Sequence, residues 1–290
     1  MLSPKIEYFT PKTIQEACSL ALQYKGEAKI IAGGTDLVVE MKRKEVLPKY
    51  IINIRGIGLD YITYDDRDGL RIGALATIRS IQVSPLIRER FNILAQAASK
   101  LGSGQVRLRA TIAGNLVTAA TSADTIPALM VLGAKIKIMG ADGEKIVPVE
   151  NFFTGPGQTI LKSDEILTEI QVPNLLPRSG GVYIKHTIRK AMDLAIIGVA
   201  ALVTMDGDAV SDARIALGTA APTPIRARRA EAILKGNKIS DDLLEKASQA
   251  ALDEASPRDS LRASADYRSK LIKVLVPRAI KQAVEQVKAE

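Results

Sequence analysis

The stretch KIIAGGTDLVVEMK, Lys29 to Lys42, limits what this chain can build more than any other. Apolar residues run into Gly33-Gly34, then Thr35-Asp36, then an amphipathic segment. That order reads as a buried strand, a tight turn and the start of a helix. Two adjacent glycines leave the backbone bare at the turn. A ligand phosphate approaching closely would explain this, and so would a sharp reversal of the chain.

The neighbouring sequence extends this unit to helix, strand, helix, strand. Thr13 and Glu16 form a T-x-x-E capping box, and Gly26 ends the first helix. Leu37 to Glu45 is the expected second helix, with Pro48 beyond it, and Tyr50 to Ile54 the next strand. A second segment begins near Gly56. Leu70 to Thr77 reads as a strand feeding a helix, and FNILAQAASKLGS as a helix stopped by Gly102. Ala134 to Val149 alternates on both sides of ADGE, which predicts a hairpin, and Ile166 to Pro173 is another alternating strand. Asn174 to Gly181 has the Pro, Ser and Gly content of a linker. Beyond it GVYIKHTI, LAIIGVAALVTM and AVSDARIALG read as strands, APTPI breaks the sheet, and helical patterns follow. Ser240 caps DDLLEKASQAALDEA, and Pro277 is expected to kink or split the last helix.

A second glycine turn lies in RATIAGNLVTAATSADTIPAL, Arg109 to Leu129. Thr111, Gly114, Asn115, Ser122 and Asp124 are concentrated in an otherwise apolar, Ala-rich stretch, which no helix or strand periodicity requires. Two turns offering backbone N–H groups could clamp a pyrophosphate from two sides, with the Asp taking a ribose hydroxyl. Two ordinary turns, with Asp124 capping the helix that follows, account for the same residues. AGGTDL is not G-x-G-x-x-G and no G-K-[ST] is present, so the Rossmann and P-loop signatures are missing. GSG at Gly102 to Gly104 follows a helix and reads as its cap.

Composition narrows the chemistry. With 290 residues the chain has room for two or three domains. Cys18 is the only cysteine and His186 the only histidine. An internal disulfide, a zinc ribbon or an iron–sulfur cluster held by this chain alone is thereby excluded, and a His-based metal site or catalytic triad is not easily built. His186 is read as a structural, hydrogen-bonding group. A net charge of +8 invites nucleic acid, but aromatics are 4%, Trp is absent and the basic residues are spread out. The densest basic run, Ile225 to Gly236, reads as the solvated face of a helix. No apolar run reaches the ~18 residues of a membrane span. The N-terminus lacks a signal-peptide core, so a cytoplasmic location is expected.

IIAGGTDLVVEMK followed by ATIAGNLVTAATSADTIPAL resembles the paired FAD-binding motifs of the flavoprotein subunit of molybdenum hydroxylases, the family of carbon monoxide dehydrogenase, xanthine dehydrogenase and aldehyde oxidase. YIKHTIRKAMDLAIIGVAALV resembles that family's K-x-x-R-K-A-M-D-x-A stretch, and SADYRSKL its C-terminal signature. The resemblance covers essentially the whole chain. It implies an α+β protein with a PCMH-type, vanillyl-alcohol-oxidase-like FAD fold. Two α/β subdomains would occupy residues 1–56 and 57–176. A C-terminal domain, residues 177–290, would hold a small antiparallel sheet and helices, and FAD would lie in the cleft between these parts.

Carried over by position, Ile30, Ile31, Ala32, Gly33, Gly34, Thr35, Asp36 and Leu37 would wrap the pyrophosphate. Thr111, Ala113, Gly114 and Asn115 would form the opposing turn, with Ala113 where the family's T-I-G-G-N has its first glycine. Asp124 would bind the adenosine part, and Leu101 and Val117 would pack on the cofactor. Ile166, Leu167 and Lys185 would approach the isoalloxazine, the ammonium steadying negative charge on the reduced ring. Arg189 and Asp193 match family positions; the resemblance gives them no catalytic role, and an ion pair across the sheet would suit them. No side chain is expected to be catalytic and no metal is expected in this chain. Cys18 alone cannot hold the [4Fe–4S] insertion of some relatives. The molybdenum cofactor and [2Fe–2S] clusters are expected in a large and a small partner subunit, in a dimer of heterotrimers. A stand-alone FAD-dependent oxidoreductase of the same superfamily, or a non-enzymatic binding module with a basic surface, are the alternatives.

Overall fold

The computed structural model describes residues 6–289, which form three larger sheets in chain order and a two-stranded antiparallel pair, Phe153–Gly155 with Gln158–Thr159. The first is parallel and three-stranded, with Tyr50–Asn53 between Glu7–Phe9 and Ala28–Ile31. The helix Ile14–Gln23 crosses it and buries Ala17, Cys18 and Ala21. Thr13 Oγ1 accepts from the Glu16 amide at 3.1 Å, and Glu16 Oε2 accepts in return from the Lys12 amide at 2.7 Å. The expected helix from Leu37 to Glu45 is shorter, Leu37–Lys42: the chain reverses at Lys44, whose φ is +60°.

The second sheet is antiparallel and five-stranded. Its order is Ile62–Asp65, Gly69–Gly73, Ile166–Val172, Lys135–Gly140, Gly143–Pro148. The predicted hairpin is the pair at its edge. Ile166–Val172 is central and buried along nearly its whole length, and its buried polar residues are satisfied: Glu169 Oε2 accepts from the Tyr61 hydroxyl at 2.6 Å and Thr168 Oγ1 donates to Lys137 O at 3.3 Å. Helices between residues 78 and 131 cover one side and supply much of the largest core.

The third sheet joins Ser179–His186, Ile197–Asp206, Ala209–Gly218 and the short Ile225–Arg226, all antiparallel. Its first strand takes up the end of the expected linker, and its fourth re-enters the sheet after the proline-rich break. Ile197–Asp206 is the run IGVAALVTMD, and the strand period divides it between two cores. Ala200 and Leu202 join the large core shared with the second segment. Val199, Ala201 and Val203 join the core beneath the helices Arg228–Leu234, Asp241–Glu254 and Ala265–Ala289. An uninterrupted apolar strand is thus the seam between second and third segments. The last helix runs through Pro277 without splitting.

The basic run from Ile225 is corrected in one respect. Arg226 is buried, and its Nε donates to Glu231 Oε1 at 2.6 Å. Only the residues after it present a solvated face, since Glu231 also caps the Ile215 amide and draws Arg226 inward.

Cys18 is buried under Met139, and burial first, then the charges of Asp164 and Glu165, push its thiol up to about 11. At pH 8 roughly 0.1% of it is thiolate. Native protein should therefore resist iodoacetamide at pH 8 and react fully once unfolded. Rapid alkylation of the folded chain would contradict this environment.

Candidate functional site

The first glycine turn joins strand Ala28–Ile31 to helix Leu37–Lys42. Gly34 has φ +74°, a conformation that strains any residue with a Cβ. Gly33 is bare for another reason. A methyl group there would stand 2.3 Å from the Arg109 carbonyl oxygen and 3.0 Å from Ala110 Cα. Those atoms lead into the second turn. The missing side chain therefore lets the two turns touch backbone to backbone, a reason for the bare backbone beyond the ligand phosphate and the chain reversal that the sequence offered.

Arg55 follows the central strand of the parallel sheet and was not singled out by the sequence. Its Nε donates to the Ala32 carbonyl at 2.7 Å and its Nη2 to the Gly33 carbonyl at 2.8 Å. With these carbonyls tied down, the amides of Gly33, Gly34, Thr35 and Asp36 donate to no acceptor among the described residues. A row of free donors is a ready anion cradle. The available clue was positional: Asn53 pairs with Ile31, so a residue just past Asn53 reaches the turn just past Ile31.

The second turn is built differently from its expectation. Thr111 caps helix Ile112–Val117, and its Oγ1 accepts from the Gly114 amide at 3.1 Å. The Asn115 amide donates to Thr111 O at 3.0 Å and the Ala113 amide to Ala74 O at 3.3 Å. These N–H groups are consumed by the cap and by the neighbouring strand end, so this turn offers side chains instead. Asn115 Oδ1 accepts from Thr125 Oγ1 at 2.6 Å, which leaves its NH2 as the donor. Thr118 Oγ1 donates to Asp36 Oδ2 at 3.3 Å and bridges the two turns.

Asp124 does not cap the helix Thr125–Val131. Its Oδ1 accepts from the Tyr183 hydroxyl at 2.8 Å, and its Oδ2 from Lys185 Nζ, also at 2.8 Å. Lys185 and Asp124 are 6% and 5% exposed, so this ion pair is buried. Burial raises the Asp124 carboxyl above the usual carboxylate range, although Lys185 and Tyr183 pull it the other way. The Lys185 ammonium also donates to the Lys100 carbonyl at 2.9 Å. Tyr183 shares a strand face with Lys185, two residues away, and that spacing was the unused signal for it.

The expected residues converge on one cleft of about 630 Å³, within the size range of small-molecule sites. Ile30, Ile31, Ala32, Gly33, Gly34, Thr35, Asp36 and Leu37 line it from the first segment. Leu101, Thr111, Ala113, Gly114, Asn115, Val117, Asp124, Ile166 and Leu167 line it from the second. Gly102, expected only to cap a helix, lines it too. Lys185 does not line the cleft: its ammonium is held behind Asp124 and reaches the cleft only through that carboxylate.

Met192, Asp193 and Leu194 close the cleft from the third segment. Asp193 accepts from the amides of Arg189, Ile188 and Leu194 at 3.0, 3.1 and 3.0 Å. These bonds, the one from Arg189 foremost, hold its carboxyl below the usual range. Arg189 and Asp193 are thus paired within one loop, 3.7 Å apart, rather than across the sheet. His186 lies next to this loop, its Nε2 3.2 Å from the Tyr267 hydroxyl, the structural contact expected for it.

The model of the FAD binding domain in molybdopterin dehydrogenase matches residues 4–175, and that of the CO dehydrogenase flavoprotein C-terminal domain matches residues 183–283. The chain belongs to this flavoprotein family. It is 34% identical to the xanthine dehydrogenase FAD-binding subunit of Escherichia coli O157:H7, covering 96% of this chain and 95% of that one. It is 32% identical to the carbon monoxide dehydrogenase medium chain of Hydrogenophaga pseudoflava, covering 98% of each. Among solved structures, carbon monoxide dehydrogenase from that organism superposes with a TM-score of 0.94 at 33% identity over 98% of both chains. Quinoline 2-oxidoreductase from Pseudomonas putida 86 gives 0.92 at 27% identity over 99% of both. The flavoprotein's fold is therefore the mixed α+β fold of the family, and it is an FAD-dependent oxidoreductase subunit.

The residues present fit that cofactor. The free amides of Gly33 to Asp36 suit a pyrophosphate, and the Asp124 carboxylate suits a hydroxyl donor. The apolar walls at Leu101, Val117, Ile166 and Leu167 suit a planar ring. Arg55 adds a testable detail. Arg55→Met should raise the FAD dissociation constant about tenfold, the worth of one to two net hydrogen bonds, with Arg55→Lys intermediate. Flavin fluorescence titration reads this directly, and unchanged affinity would remove Arg55 from the site.

Proposed function

We propose that this flavoprotein is the electron-transfer subunit of a molybdenum hydroxylase complex. Electrons would arrive from [2Fe–2S] clusters on a small partner subunit and leave to an external acceptor. The substrate would be oxidised at a molybdenum centre on a large partner subunit, in an assembly of two heterotrimers. The observation that carries the reading is the cleft of about 630 Å³ with free turn amides, in a chain matched end to end by proteins named medium chain and FAD-binding subunit.

FAD, when bound, supplies the exchange of single electrons with a cluster and of one or two with an acceptor. The chain's own residues bind and orient. The amides of Gly33, Gly34, Thr35 and Asp36 hold the pyrophosphate, with Arg55 fixing the turn and Thr118 tying it to the opposite wall. Asp124 accepts from a ribose hydroxyl. Tyr183 and Lys185 aim its carboxylate, and Lys185 balances its charge in a buried setting. Leu101, Val117, Ile166 and Leu167 keep water from the apolar part of the cleft. None of these side chains needs to serve as nucleophile or general base.

The test is to co-express the chain with the iron–sulfur and molybdenum subunits of its own organism and purify the complex. Anaerobic reductive titration should show cluster signals and flavin bleaching in electronic communication. A chain that purifies without flavin and takes up none, or a flavin that stays oxidised while bound clusters are reduced, would overturn the proposal.

A further inference from the structure

The segment 255–264, between the last two helices, has no regular secondary structure, yet it is held at several points. The Ser256 amide donates to Ala220 O at 2.8 Å, Asp259 Oδ1 accepts from the Ala265 amide, and Ser260 pairs with Ala263. Behind it lies Arg268, only 2% exposed. Its guanidinium donates to Ile196 O, to Thr219 O at 3.5 Å and to Ser260 Oγ at 2.8 Å. All three acceptors are uncharged, and its Nε has no partner among the described residues. Burying a guanidinium without a carboxylate is unfavourable. Here it pins the loop, through Ser260, to one end of the third sheet, where the start of Ile197–Asp206 lies beside the end of Ala209–Gly218.

What the pinned loop presents is Leu261, the most exposed large apolar side chain among the described residues. Arg258 and Arg262 flank it, exposed, and form no ion pair among the described residues. The one carboxylate in the loop, Asp259, is spent on the Ala265 amide. The two arginines also lower the pKa of Arg268, after burial, so the region carries more positive charge than it neutralises. Exposed Tyr267 and Ile188 stand on the adjoining helix and on the loop that closes the cleft, linked through the His186–Tyr267 contact. A rigid loop, an apolar tip and unneutralised arginines around it are the parts of an interface anchor.

We propose that residues 258–262 form a docking knob, with Leu261 entering an apolar pocket rimmed by carboxylates on a protein partner of the complex. The inference rests on the proposed function, because it needs that partner. Charge complementarity selects an acidic rim, and rigidity means that little ordering entropy is lost on docking. Leu261 touches nothing within its own chain, so its replacement leaves the fold and the FAD cleft alone.

The test uses the co-expressed complex. Leu261→Asp, and separately Arg258→Glu with Arg262→Glu, should each weaken association of the flavoprotein with its partner subunits by at least about 30-fold, with flavin content unchanged. Added salt should weaken the wild-type complex more than the double arginine variant. If the wild-type chain itself binds no partner, the functional proposal fails. If it binds and both variants bind equally well, the knob is wrong and the functional proposal stands. If the variants change only the mass of the isolated chain, the knob meets a second copy and the inference is overturned.

Discussion

Gly33→Ala is expected to abolish useful FAD binding while leaving the chain folded. The new methyl group would overlap the Arg109 carbonyl at 2.3 Å, and both neighbours, Arg109 O and Ala110 Cα, are backbone. Backbone cannot rotate away as a side-chain tip can. The clash must open the two turns or rotate the peptides around Gly33, and either withdraws free amides from the cleft. Hydrogen bonds to a charged group are worth about 1.5–3 kcal/mol each, so losing two weakens binding between about a hundredfold and ten-thousandfold. Gly34→Ala, at φ +74°, introduces about 1–2 kcal/mol of left-handed strain and a milder loss. Fluorescence titration with FAD, alongside circular dichroism, measures both. Stoichiometric flavin in purified Gly33→Ala would show that the contact between turns does not shape the site.

Lys185→Met is expected to be the most destabilising substitution near the cleft. It leaves the Asp124 carboxylate, 5% exposed, with only the Tyr183 hydroxyl. Removing one partner of a buried pair costs about 3–5 kcal/mol. For a chain of this size that lowers the thermal midpoint by on the order of 10 °C. The pH dependence has a definite sign. Burial already raises the Asp124 carboxyl, and removing Lys185 raises it further. A carboxyl whose folded pKa exceeds its unfolded value favours folding when protonated, and that contribution is lost as pH rises through the folded value. The deficit of Lys185→Met relative to wild type should therefore shrink on acidification and widen toward alkaline pH. Melting curves across pH would read it. A deficit that widens in acid would mean that Asp124 is ionised and satisfied without Lys185.

Local order along the chain was legible because it is set by residues close in sequence. The T-x-x-E box, the ADGE hairpin, the Ser240 cap and the alternating strands each encode their own conformation, and each appears where its pattern falls. The two glycine-turn motifs were legible as chemistry, because adjacent glycines and a dense polar cluster fit no periodic element. The resemblance to known flavoproteins supplied the cofactor. Lone residues without a pattern were not legible. Arg55 is an unremarked basic residue until the parallel pairing of two strands brings it to the carbonyls of the first turn.

By itself, then, the sequence determined most of the regular elements and the positions of both turns, while the opening strand Glu7–Phe9 and the short pair Phe153–Gly155 with Gln158–Thr159 carry no pattern that it offered. Tertiary structure decided how those parts are used. It showed that Gly33 is bare to receive the Arg109 carbonyl, and that the second turn's amides belong to its own cap. It also turned Lys185 toward Asp124 rather than into the cleft. The physical reason is common to all three. Hydrogen-bond accounts and van der Waals contacts close only when segments some 80 residues apart are in place, and no local pattern records which donor will find its acceptor at home.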